Sequence, residues 1–282
     1  MAENADNTQT QAKNWRADPR TNEELLHTAL TQEDEELVWD AIGVLHLRGS
    51  PDTLEAARQL CASQDANDRR VGADILGQLG KEENKFHEES VTILLDLLER
   101  EQDPDVLNSA AVALGHRKDP RAIEPLIRLK NHPHEDVRFG VVLGFLTQED
   151  ERAINTLIEL STNSDSDVRD WATFGIGSMI ETDTPAIRAA LMARITDEDG
   201  DTRGEAIVGL ARRHDERVVE PLLAELEAGW DGRLLLEAAT EIADPRLYPV
   251  LARLQEEWDD DKDWPYSALK EAIAACRPRA EN

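Results

Sequence analysis

DVRFGVVLGFL at 136–146, DVRDWATFGIG at 167–177, DTRGEAIVGLA at 201–211 and DVLNSAAVALG at 105–115 are four copies of one pattern. Each opens on Asp, continues with an apolar residue or Thr, and returns to small or apolar residues four and eight positions on. The first anchors are Val106, Val137, Val168 and Thr202; the fourth-on residues are Ala110, Val141, Ala172 and Ala206; the eighth-on residues are Leu114, Phe145, Ile176 and Leu210. Spacing of four and eight marks one stripe of an amphipathic helix. Weaker copies extend the series to Leu37 with Ala41 and Leu45, Asp68 with Gly72 and Leu76, Leu234 with Ala238 and Ile242, and Pro265 with Ile273. Successive anchors are separated by 31, 38, 31, 31, 34, 32 and 31 residues, the fixed period of a repeat protein.

A second set of helical segments alternates with the first: 22–30, 51–62, 91–100, 120–130, 151–161, 184–195, 216–228 and 245–258. Asp119, Asp150, Asp183, Asp215 and Asp244 precede several of them, followed by Pro, Glu or Thr. An Asp there accepts from the orphan N–H groups of the first turn, and Pro at the next position sacrifices no hydrogen bond. Each unit is therefore a helical hairpin of roughly 32 residues, and one hairpin alone cannot bury both of its apolar faces. The predicted fold is all-α: a right-handed solenoid of about eight stacked hairpins over 21–276, with a flexible lead-in at 1–20 and a tail at 277–282. Trp15 of the lead-in is a candidate to dock on the first hairpin.

The formal charge of −28, from 59 acidic and 31 basic residues, restricts the partners. Phosphate binding depends on Lys and Arg releasing counterions, so nucleic acid is excluded and a cationic protein is favoured. An acidic, Lys-poor surface also serves solubility or life in salt. Cys61 and Cys276 lie at opposite ends with no metal-ligand spacing nearby, which points to a reduced, cytoplasmic protein. No apolar run approaches a membrane span. His132, His134 and Asp136 alternate in HPHED but have no second cluster, and no phosphate loop or nucleophile motif occurs, so neither metal, cofactor nor catalysis is expected.

The D-V-R-x-x-A-x-x-x-L-G helix followed by D-P-R-A-I-x-P-L-I resembles HEAT repeats of the phycobilisome-lyase type, over residues 21–276. LHLRGSPDTLEAARQLC (45–61), RRVGADILGQLG (69–80), VRDWATFGIG and the stretch from EAIVGLARRHDERVVEPLLAEL to WDDDKDW are similar to enterobacterial HEAT-repeat immunity proteins found beside Rhs toxin genes. The resemblance implies a ladder in which Arg69, Arg138, Arg169 and Arg203 pair with Asp136, Asp167 and Asp201, interrupted where Leu107 takes the Arg position. It also implies that the second helix of each hairpin lines a concave groove. A phycobilin-lyase-like chromophore-binding protein and a general assembly scaffold are the alternatives it leaves open. A third HEAT-like group, the alkylpurine glycosylases, needs a cationic groove that this chain lacks.

The loops from first to second helix are 31–36, 63–67, 101–105, 131–136, 161–167, 197–201, 227–232 and 258–263, and Lys262 is their only Lys or Arg. The opposite loops mix signs, as in HRKDP and RRHDER. Stacking in register gathers the first type on one edge, beyond what capping needs. The expected partner-binding residues are therefore the acids Asp197, Glu198, Asp199, Asp201, Asp231, Asp259, Asp260, Asp261 and Asp263, with Trp230, Trp258 and Trp264 beside them. Positions two, five or six, and nine after each anchor should project from the packed stripe. They add Trp39, Phe139, Asp170 and Phe174, and with Val142, Ile207 and Val208 suggest an apolar patch. The expected partner is a basic protein, in the narrowest version the C-terminal toxin domain encoded by a neighbouring gene. The free chain is expected to be monomeric.

Overall fold

The structure, a computed structural model, describes residues 15, 17–228, 232–257 and 266–278. Among these, all regular structure is helical, and the order is eight hairpins. Their first and second helices are α1 (Asn22–Thr31) and α2 (Glu35–Arg48), α3 (Pro51–Cys61) and α4 (Ala66–Gln78), α5 (His87–Arg100) and α6 (Pro104–Arg117), and α7 (Ile123–Leu129) and α8 (Glu135–Phe145). The series continues with α9 (Glu151–Leu160) and α10 (Ser166–Phe174), α11 (Pro185–Arg194) and α12 (Gly200–Arg212), α13 (Val219–Glu227) and α14 (Arg233–Ile242), and α15 (Tyr248–Glu256) and α16 (Tyr266–Cys276). The chain forms an all-α solenoid whose contacts divide it into two compact units, residues 1–144 and 145–282. Within the first unit α4 lies against α6; within the second α10, α12, α14 and α16 pack in succession.

The anchor pattern is the core. All twelve residues of the four clear copies, from Val106 to Leu210, are buried to 1% exposure or less. Each buried Val, Leu, Ile or Phe among them contributes about 1.5–3 kcal/mol. Small residues let the second helices approach. A Cβ built on Gly209 would lie 2.6 Å from the Gly177 Cα, and one on Gly115 would lie 2.6 Å from the Gly144 Cα. In the first repeat the stripe is shifted by one: Val38 is buried and Leu37, the expected anchor, is 46% exposed.

The two long intervals have local causes. The 38-residue step holds a 3₁₀ turn, Lys81–Glu83, flanked by left-handed Gly80, Asn84 and Phe86, which inserts an extra bend before α5. In the 34-residue step, α10 runs on into a π-helix, Gly175–Met179, whose wider turns consume additional residue length.

In the third and sixth repeats an Arg closes the end of the preceding second helix. Arg117 Nε donates to the Leu76 O and Arg117 Nη2 donates to the Leu79 O, while Arg213 Nη1 and Nη2 donate to the carbonyls of Gly177, Ile176 and Ile180. A cation at those carbonyls also opposes the helix macrodipole. Arg48 occupies the same place in the first repeat. It donates instead to the Asp18 O and Asn22 Oδ1. Beside it Trp15 packs over Gly43, its Nε1 donating to the Asp40 Oδ1 at 2.6 Å. Arg20 bridges Asp18 and Asp40. Residues 15 and 17–20 thus lie against the first hairpin.

Candidate binding surface

The ladder arginines do two things, and their partners differ from those expected. Each bends back to donate from Nη1 to two carbonyls of its own loop: Arg69 to Ser63 and Gln64, Arg138 to His132 and Pro133, Arg169 to Asn163 and Asp165, Arg203 to Asp197 and Glu198. Three then reach the following repeat, where Arg69 meets Glu101, Arg169 meets Asp197 and Arg203 meets Glu225. The expected acids Asp136, Asp167 and Asp201 are exposed and take no part, which is a correction. They sit in the first turn of their helices and point to solvent. The acid that faces the arginine stands two residues before the N-cap, at Glu101 before Asp103 and at Asp197 before Asp199. There it also accepts the cap's own N–H. Where Leu107 replaces the rung arginine, His132 replaces the acid at the matching place. A cleft of about 740 Å³ opens beside the two.

Burial pushes the Glu101 carboxyl up, but the Arg69 guanidinium and the N–H groups of Asp103 and Gln102 outweigh it and hold the group at about 2. Asp197 is 6% exposed and also meets Arg194. Asp199 caps α12, accepting from the Thr202 N–H and hydroxyl. Two of the four carboxylates of DEDGD are therefore internal, and Glu198 and Asp201 remain on the surface.

The two sets of loops differ in how their charge is answered. On the sign-mixed set, each helix-capping Asp is gripped by an Arg two residues later: Asp119 by Arg121, Asp150 by Arg152, Asp215 by Arg217, Asp244 by Arg246. These Arg side chains hold the Asp carboxyls below the usual range. On the other set, Asp34, Asp65, Asp103, Asp165 and Asp199 cap the second helices through backbone N–H, to which Asp199 adds the Thr202 hydroxyl, and none is gripped by an Arg two residues later. Beyond them Glu33, Glu35, Glu36 and Asp105 in the first unit, and Asp167, Glu198 and Asp201 in the second, are exposed without an ion pair among the described residues. Each unit thus carries unanswered negative charge along its first-to-second-helix loops.

The second helices offer less apolar surface than expected. Val142, Ile207 and Val208 are buried to 1% or less, because the glycine-mediated approach of adjacent helices covers them. Phe139 and Phe174 are half-buried and Trp39 is 50% exposed. In the first unit, Trp39 and Leu37 border a cleft of about 420 Å³ with Trp15 and His46. Burial pushes His46 down to about 4, with its Nε2 against the Asp74 O.

In the second unit, Asp170, Phe174, Glu205 and Glu237 come together, and Glu205 and Glu237 were not anticipated. They stand three positions after Thr202 and Leu234, a place neither in the stripe nor among the positions expected to project. Burial, reinforced by Asp170 and Glu237, pushes the Glu205 carboxyl up to about 7, against the pull of Arg212 and Ser178. Burial and the charges of Asp201, Asp199 and Asp167 push Asp170 up to about 6. Trp230, Asp231, Trp258, Asp259, Asp260, Asp261, Asp263 and Trp264 lie outside the described residues. Among the described residues no group of His, Cys, Asp and Glu is arranged to hold a metal, and no helix is long and apolar enough to cross a membrane.

Stacked hairpins with this anchor stripe and arginine ladder define a repeat protein of the HEAT class, and the chain belongs to the HEAT-repeat family, whose profile matches residues 22–114, 91–177 and 154–243. It is similar to Protein YibA of Escherichia coli, 29% identical over 225 residues that make up 78% of this chain and 80% of that protein. The X-ray structure of that relative superposes with a TM-score of 0.71 at 26% identity, covering 91% of this chain and 92% of the other. An engineered protein matches at a TM-score of 0.52 and 19% identity over 90% of this chain and 77% of its own, a likeness of fold alone.

Proposed function

We propose that this chain is a non-catalytic binding protein that captures a basic protein through its acidic loops and its row of second helices. One observation carries the reading: the helix-capping Asp residues on one set of loops are each paired with an adjacent arginine, while the acids on the other set exceed what capping and the ladder use. Gathered like charge costs stability unless a cation answers it, and it steers a cationic partner to the surface. The exposed Trp39 and Trp171 supply aromatic anchors beside that charge.

The narrow form of the proposal follows from the resemblance to immunity proteins: the partner is a basic toxin domain encoded next to this chain, neutralised by occlusion. Co-expression of the two tests it. Restored growth and co-purification at low salt support immunity. A growth defect that persists, with no complex at low salt, sinks it. Binding to a different basic protein would leave only the general reading.

A further inference from the structure

The second helices of the fifth to seventh repeats assemble a cleft that the loop acids do not use. α10 passes into the π-helix Gly175–Met179, an irregularity found often at functional positions. The junction brings Phe174 and Ser178 to a cleft of about 300 Å³ that Glu205 and Glu237 line together with the cations Arg212 and Arg233. Trp171, 39% exposed, meets Phe174 edge to face, with centroids 5.7 Å apart and planes at 78°.

Charge in this region is unevenly satisfied. Arg212 is committed, with Nη2 on the Glu237 Oε1 and Nη1 donating to the Ser178 O. Glu205 and Asp170 are in no ion pair among the described residues, and the Asp170 charge acts on Glu205 through space. The Asp170 Oδ1 is buried with no hydrogen-bond partner among the described residues. A buried carboxylate oxygen without a donor is costly, and a donor arriving with a positive charge removes both the orphan and the repulsion.

We propose that Asp170 and Glu205, flanked by the Trp171–Phe174 pair, receive one arginine side chain of the basic partner. This rests on the reading that the partner is basic and adds which of its side chains is recognised. Arginine fits better than lysine. Its planar fork donates to two carboxylates at once, stacks on an aromatic ring and is less strongly hydrated, so a half-buried site costs it less. Entry of the cation draws protons off the two carboxyls. Glu205 faces Asp170 and Glu237 against Arg212, with Arg233 also on the cleft wall, and Asp170 faces Asp167, Asp199 and Asp201 against Arg169. Binding therefore strengthens as pH rises from about 5 to about 8, with net proton release near pH 6.5.

The test is calorimetric titration of the full chain with a synthetic Arg-Gly repeat peptide and a Lys-Gly peptide of equal length, in two buffers of different ionisation enthalpy. The expected result is about tenfold tighter binding of the arginine peptide, accompanied by proton release. Asp170→Asn with Glu205→Gln, two near-isosteric changes that relieve buried charge, should abolish both the preference and the proton release. Glu198→Gln with Asp201→Asn should weaken both peptides alike. Equal affinity for the two peptides, or a preference that survives Asp170→Asn/Glu205→Gln, overturns the arginine receptor while leaving the basic-partner reading standing. Failure of both peptides to bind at low salt overturns the two together.

Discussion

Arg169 and Asp197 face each other between the fifth and sixth repeats, with side chains 8% and 6% exposed and Arg169 Nε 3.1 Å from each carboxylate oxygen. Both charges are out of water, so each depends on the other. The desolvation of such a pair is repaid only while both partners and their auxiliary hydrogen bonds are present. Asp197→Asn leaves a buried guanidinium without its counter-ion and should cost about 3–5 kcal/mol in urea denaturation. A loss below about 1 kcal/mol would mean that the pair is solvated like a surface bridge.

Close approach of second helices makes a separate prediction. Gly209→Ala should lower stability by about 1–3 kcal/mol, although Ala is the better helix former, because its Cβ would meet the Gly177 backbone at 2.6 Å. Denaturant midpoints of the two proteins decide it; a more stable Ala variant would show that the helices have room to part.

The raised carboxyl of Glu205 sets the sign of a pH effect. Its folded value, about 7, lies above the ordinary 4.5, so the folded state holds the proton more tightly. That contribution is full below about pH 4.5 and is lost as pH rises through 7. Glu205→Gln keeps a neutral side chain throughout. Its stability relative to the natural chain should therefore grow by on the order of 1–3 kcal/mol between about pH 4.5 and pH 8. A difference that stays flat, or shrinks, contradicts the burial of this carboxyl.

Much of this molecule was legible in the sequence because repetition multiplies a weak signal. One amphipathic helix is ambiguous, yet Val106, Val137, Val168 and Thr202 at steps of 31 to 34 residues fix period, stripe and core at once. What was not legible depends on geometry between repeats. Asp167 and Asp201 adjoin the ladder arginines in sequence but turn outward, while Glu101 and Asp197 reach those arginines from the next repeat. Glu205 falls between the stripe and the positions expected to project, and only the packing of the neighbouring helices shows it lining a cleft with Phe174. Val142, Ile207 and Val208 were expected to project, and the glycine contacts bury them instead.

The surplus of negative charge on one set of loops is the centre of the functional reading, and one comparison tests it. Affinity for the basic toxin domain proposed as the partner is measured as salt rises, for the natural chain, for Asp167→Asn/Glu198→Gln/Asp201→Asn, and for Glu151→Gln/Glu216→Gln/Glu241→Gln on the opposite side. Affinity should fall steeply with salt, and the first triple variant should bind about tenfold more weakly at low salt while the second changes by no more than about twofold. Salt-independent binding, or equal losses in the two variants, would contradict a binding surface built from these loops.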